Sequence, residues 1–235
     1  MNLDEIEVDQ IPEFINYHDE LNPRLWNDHK LKSDVRKHLI IITNKFIEFL
    51  DIPELKVQDV IIAGSNASYN YTKFSDIDLH LVVDMSFDDL AENLFNTKRN
   101  LWNLEHEVKI YGMDVELYVQ ESSSDLKSAG IYSLKNKWIS IPKHKEPSVD
   151  DISIVSKVNQ YQSSIDDLLE SNPSDEEVES LLADIKKFRQ SGLESGGEFS
   201  TENLSFKVLR NEGYINKLWD YLESKEDREM SLEGI

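Results

Sequence analysis

The apolar positions change their spacing along the chain. Between residues 33 and 50, Val35, Leu39, Ile42, Phe46 and Phe49 recur at steps of three and four. That spacing predicts a helix, capped by Ser33 or Asp34 and ended by Pro53. Residues 57–65, VQDVIIAGS, are a short apolar run closed by a Gly-Ser pair, and residues 75–84, SDIDLHLVVD, alternate with period two. Both predict strands. Helical spacing returns over 86–104, with Ser86 as cap and Asp89 at the capping-box position. Residues 106–120 predict two strands turning near Tyr111-Gly112, and 130–142 a hairpin turning at Lys135-Asn136.

Beyond Pro142 the pattern is different. The segment HKEPSVDD predicts a linker, and from about residue 148 the spacing is helical. One helix is predicted over 148–171 and a second over 174–193, where Ser174 and Glu177 form a capping box. One or two short helices follow over 201–224, broken at Gly213, and the last dozen residues are charged and predict fraying. The expected fold is α+β. A small mixed sheet with helices on one face, together with the N-terminal helices, fills 1–145, and a helical region fills 146–235.

Composition narrows the function classes. With 39% hydrophobic and 9% aromatic residues the chain can build a core, which argues against global disorder. It has no cysteine, which removes disulfide frameworks, thiolate zinc sites and cysteine nucleophiles together. The acidic N-terminus lacks the basic flank and apolar run of a signal peptide, and no apolar run is long enough to span a bilayer. The expectation is a cytoplasmic protein with no membrane partner. The formal net charge is −21, which disfavours non-specific binding to nucleic acid. Runs such as GxxxxGK[ST], GxSxG and HExxH are absent, so the corresponding ATPase, hydrolase and zincin chemistries are not expected.

The candidate chemistry lies on the second predicted strand. Alternation places Asp76, Asp78 and His80 on one face and Ile77, Leu79 and Leu81 on the other. Two carboxylates two positions apart, about 7 Å by strand rise, repel unless a cation lies between them. Mg²⁺ suits such a pair, because it takes one or two carboxylates and leaves sites for phosphate oxygens. Gly64-Ser65 ends the preceding strand, with ten residues between Ser65 and Asp76. Glycine lets the backbone approach a ligand, and Ser65 offers a hydroxyl and an N–H at a turn where phosphate is favoured. A third acid is available on the later strand GMDVELYVQ, where Asp114, Glu116 and Tyr118 share a face.

These residues resemble a known family. GSNASYNYTKFSDIDLHL is similar to the signature of the DNA polymerase β-like nucleotidyltransferase superfamily: a Gly-Ser pair, a short helical turn, Asp-x-Asp on a strand, and a third acid downstream. That likeness spans about residues 60–120. LNPRLWND, VELYVQ, GIYSLKNKWI and GGEFSTENLSFKVLR resemble, more narrowly, predicted nucleotidyltransferases of phage and bacterial genomes. The resemblance implies that Gly64 and Ser65 hold a triphosphate and that Asp76 and Asp78 bind Mg²⁺ (or Mn²⁺). Glu116, centred in VELYV, is the first choice for the third acid, with Asp114 on the same face as the alternative. The implied reaction moves a nucleoside monophosphate from a nucleoside triphosphate to a hydroxyl of a small molecule, a protein or an RNA end. A two-metal clamp would serve the attacking and leaving oxygens. The alternative is a catalytically silent module of the same fold, used for binding or as an antitoxin.

Other residues carry weaker signals. Tyr132 and Ser133 in GIYSL could touch nucleotide or simply pack in a strand. Lys186 with Arg189, and Lys207 with Arg210, are each three apart and so can share a helix face. In so acidic a chain they are candidates for neutralising the triphosphate, or ordinary surface charges. Trp102 and Trp219 are expected in the core, with base stacking as the other use for either.

Overall fold

The structure is a computed structural model that describes residues 6–86, 88–124, 126, 128–144 and 149–231. Two compact units divide the chain: residues 16–145, and the N-terminal residues to 15 together with those from 146 onward. The N-terminal segment is expected with the sheet. It belongs instead to the helical unit, where the backbone of Ile6 exchanges two hydrogen bonds with the Asn159 side chain (3.0 and 3.1 Å). Ile6, Ile11 and Phe14 are buried there. This segment is too short to show a periodic pattern, so its partner was not readable from the chain. Residues 145–148 of the expected linker lie outside the described residues.

Among the described residues the first α-helix is the short α1 (Ile11–Phe14). In the unit of residues 16–145, a two-stranded ribbon of β1 (Trp26–Asn27) and β2 (Lys30–Leu31) precedes helix α2 (Ser33–Leu50). Strands β3 (Val57–Ala63) and β4 (Ile77–Val83) follow, then α3 (Asp89–Glu105) and β5 (Lys109–Ile110). The unit ends with β6 (Met113–Glu121), β7 (Ile131–Ser133) and β8 (Lys137–Ser140). The main sheet has the order β5-β6-β4-β3-β7-β8. Among the described residues only the β4–β6 pair is parallel; the other pairs are antiparallel. The long crossover through α3 is what a parallel pair requires.

One face of this sheet is apolar because of strict alternation. Ile77, Leu79, Leu81 and Val83 of β4 and Val115 and Leu117 of β6 share it and are buried. They belong to one core cluster with Val35, Leu39, Phe46 and Leu50 of α2 and Phe95 and Trp102 of α3. The polar residues between them therefore lie on the opposite face. Local signals differ in detail from the sequence reading. The N-cap of α3 is Asp88, which accepts from Ala91 N (2.8 Å), rather than Ser86. α2 starts at Ser33 with no side-chain cap and ends at Asp51 in the left-handed conformation, before Pro53. The β5–β6 turn has two successive positive φ angles, Tyr111 at 52° and Gly112 at 82°, the twist that suits a tight hairpin.

The helical unit holds α4 (Asp151–Glu170), α5 (Asp175–Gly196), α6 (Thr201–Asn211) and α7 (Tyr214–Met230). The Ser174–Glu177 capping box is formed, and Gly213 at φ 79° breaks the chain between α6 and α7. α7 continues to Met230, further than the charged ending suggested; residues 232–235 lie outside the described ones.

Candidate active site

The polar face of the sheet is organised in ranks across the parallel pair. Asp78 lies opposite Glu116, His80 opposite Tyr118, and Val82 opposite Gln120. Neighbouring strands are about 4.8 Å apart, so each rank is a close pair. Asp76 precedes β4 by one residue, and its carbonyl accepts from the Asn66 amide (2.8 Å). Asp114 lies one position before the β6 residue that meets Ile77, but its carboxylate pairs with Lys109 on β5 at 3.2 Å and is half exposed. Glu116, not Asp114, is thus the register partner of Asp78.

Gly64 closes the other side of this pair. Ala63 is opposite Asp78 on the antiparallel neighbour. Gly64 has φ 71° and ψ −161°, a region open essentially only to glycine. A Cβ built there would stand 1.8 Å from Asp78 Oδ2. The glycine is therefore required twice, by its backbone angles and by the carboxylate against it. Ser65–Ala67 form a single 3-10 turn, as the short helical turn of the sequence reading anticipated. One such turn has no appreciable macrodipole, so anion binding here depends on local donors alone.

The loop from Ser65 to Asp76 is locked from below by Asn66, which is fully buried. Its amide donates to the carbonyls of Ser75 (3.2 Å) and Asp76 (2.8 Å), and its Oδ1 accepts from Asn22 (2.7 Å). Trp26 Nε1 donates to the Asn66 carbonyl (2.7 Å). Ser65 Oγ and Ser75 Oγ are 2.8 Å apart, which ties the Gly-Ser turn to the residue before Asp76. Ser128 Oγ accepts from Gly64 N (3.0 Å). Close by, Gly130 presses so near Ala67 that a Cβ would meet its carbonyl oxygen at 1.9 Å. A residue that follows Gly-Ser in a loop gives no sign of this role in the sequence, because its partners are 9 to 44 positions away.

The electrostatics of the face are set by burial and by the acids. Tyr118 donates to Glu116 Oε2 at 2.5 Å. Burial raises the phenol's pKa strongly, and the negative charges of Asp78 and Glu116 raise it further, so it remains a donor at neutral pH. His80 stacks on Tyr118 with ring centroids 4.7 Å apart. Burial lowers its pKa to about 4, against a smaller opposing effect of the Gln120 hydrogen bond. It is neutral at pH 7 and adds no charge to the carboxylates. Arg99 of α3 places its guanidinium 5.2 Å from the centre of the Tyr118 ring. Nothing in the helical pattern of 86–104 distinguished Arg99 from other surface charges.

The donor set here is hard oxygen, which suits Mg²⁺ or Mn²⁺. Mg²⁺ takes one or two carboxylates when phosphate and water complete its shell, and the Asp78–Glu116 pair matches that ligand type. Among the described residues, no group of three His, Asp or Glu side chains is already gathered into a metal cage. The Tyr118 hydroxyl occupies one acceptor position of Glu116.

Other sequence candidates fall elsewhere. Tyr132 is 3% exposed and packs edge-on against Trp26 and Trp138 at 4.9 and 5.0 Å. Ser133 is fully buried and donates to the Asp59 carboxylate at 2.8 Å. Both are packed strand residues and are not presented to a ligand. Lys186 and Arg189 line one pocket of the helical unit, whereas Lys207 and Arg210, on α6, are not among its lining residues. Trp102 is in the core as expected, but Trp219 is 57% exposed. No helix among the described residues is long and apolar enough to cross a membrane. Comparison of the chain with protein-family models, with curated proteins and with solved structures finds no match.

Proposed function

We propose that the chain is a Mg²⁺-dependent nucleotidyltransferase, moving a nucleoside monophosphate from a nucleoside triphosphate to an acceptor hydroxyl. The observation that carries this reading is the fit of Gly64 under Asp78, in register with Glu116. A strand surface serving only solubility has no need of a glycine at φ 71° whose missing Cβ makes room for a carboxylate.

Asp76, Asp78 and Glu116 would hold the metal, and Gly64 and Ser65 would approach the triphosphate. When bound, Mg²⁺ supplies positive charge to the phosphate oxygens and acidifies the attacking hydroxyl. The acceptor oxygen bonds to the α-phosphorus, the α–β P–O bond breaks, and pyrophosphate leaves with the electron pair. Glu116, whose Oε2 accepts from Tyr118, would take the acceptor proton. Arg99 lends charge compensation from within the same unit. The acidic surface favours a small-molecule or protein hydroxyl over an RNA end.

Two observations favour the second reading, a silent module of the same fold: Tyr118 already satisfies part of Glu116, and among the described residues no three-residue cage is formed. Incubation with each α-labelled nucleoside triphosphate, Mg²⁺ or Mn²⁺ and a cell extract separates the two. Label transferred to an acceptor, and lost in Asp76→Asn, supports the transferase. No transfer with any triphosphate supports the silent module.

A further inference from the structure

The helical unit contains a cavity of about 500 Å³ between α5, α6 and α7, within the size range of small-molecule sites. Its floor and walls are apolar: Leu182, Ala183 and Ile185 from α5, Phe206 from α6, Ile215 and Trp219 from α7. Folding leaves the Trp219 indole 57% exposed at this cavity, although its neighbour Leu218 is fully buried. A large flat ring is thus placed against a concavity and left uncovered.

The charges of the lining are segregated along α5. Glu179 is seven residues before Lys186 and ten before Arg189, about 10 and 15 Å along the helix. Arg189 is fixed in place: its Nε donates to Asn203 Oδ1 at 3.2 Å, and its guanidinium stacks 4.6 Å from the Phe206 ring. Asn203 is itself fully buried, held by its bond to the Glu198 carbonyl (2.6 Å). A cation whose position is fixed before binding loses little freedom on meeting an anion. In a chain of net charge −21, two cations at one end of an apolar pocket stand out chemically. The acid at the other end repels a second anionic group.

We propose that this pocket binds a small molecule with a flat apolar body and a single anionic head. The body stacks on Trp219, and the head lies against Lys186 and Arg189. This site is separate from the nucleotidyltransferase reading and does not depend on it.

The test uses the full chain and two probes of the same skeleton, 8-anilino-1-naphthalenesulfonate and its neutral parent N-phenyl-1-naphthylamine. The dissociation constant of each is measured from the probe's own emission, with each variant's fold checked by circular dichroism. Lys186 is exposed, so Lys186→Glu should keep the fold. It should weaken the sulfonate about tenfold and leave the neutral probe within about twofold. Trp219→Ser should weaken both. A monoanionic aryl carboxylate should displace the sulfonate, whereas metal-free ATP should not. Equal effects of Lys186→Glu on both probes, no effect of Trp219→Ser, or displacement by ATP at lower concentration than by the carboxylate would each overturn the proposal. Lys186→Gln provides the same comparison if charge reversal disturbs the helix.

Discussion

Replacing Gly64 with alanine tests the geometry on which the site depends. Two costs can be worked from the structure. At φ 71° and ψ −161° a side chain costs about 1–3 kcal/mol. The new Cβ, 1.8 Å from Asp78 Oδ2, forces that carboxylate off its rotamer, for roughly 0.5–1.5 kcal/mol more. The lower entropy of the unfolded alanine chain returns about 0.4–1 kcal/mol. The net expectation is a loss of about 2 kcal/mol, or roughly 4–8 °C in Tm for a chain of this size. Urea unfolding of the metal-free protein measures it. The informative experiment is a cycle with Asp78→Ala, which removes Oδ2 and the clash but leaves the backbone cost. Gly64→Ala should then cost about 1 kcal/mol less than in the wild-type background. An equal cost in both backgrounds, or a cost below about 0.5 kcal/mol in the wild type, would refute the account of why glycine is there.

Asn66→Ala should destabilise by about 2–4 kcal/mol, because it leaves the buried Asn22 amide and two carbonyls without their partner; denaturant unfolding measures this. Burial holds the His80 pKa at about 4, below the ordinary 6.5, so the unfolded chain binds the proton more readily between those values. Its contribution is therefore fully present above pH 6.5 and declines as pH falls toward 4, by up to about 3 kcal/mol. In metal-free protein the loss of stability between pH 7 and 5 should be smaller for His80→Phe, and an unchanged slope would contradict it. Tyr118→Phe keeps the stack on His80 but removes the donor to Glu116, and should cost about 1–2 kcal/mol in the metal-free protein by the same unfolding assay.

The long elements were legible because alternation and helical spacing extend over many residues. Ile77, Leu79 and Leu81 announce a buried face, and Asp78 between them then falls on the other by geometry alone. The capping box at Ser174 and the break at Gly213 are local and were equally readable. What sequence could not supply depends on pairing between distant segments. Glu116 rather than Asp114 stands beside Asp78 because of the β4–β6 register, and two acids on one strand face look alike until the neighbour is known. Arg99, Asn66 and Ser128 reach the site from a helix, a turn and a loop with no shared period. Tyr132 and Ser133 carried nucleotide-like residue types but are buried by Trp26, Trp138 and Asp59. The N-terminal segment sorted with the helical unit through the pairing of Ile6 with Asn159, again at long range.

The most direct test of the central claim is thermal unfolding of wild type and Asp78→Asn, with and without Mg²⁺ and a non-hydrolysable nucleoside triphosphate. Asn keeps the size of the side chain and removes one charge from a rank that already holds Glu116, so the metal-free variant should match or exceed the wild type in stability. Binding at a hundredfold excess over Kd adds about 2.7 kcal/mol to a protein that binds only when folded. The account predicts that gain for the wild type, dependent on Mg²⁺ and absent from Asp78→Asn. No gain in the wild type, or the same gain in the variant, would contradict the assignment of these carboxylates to a metal–nucleotide site.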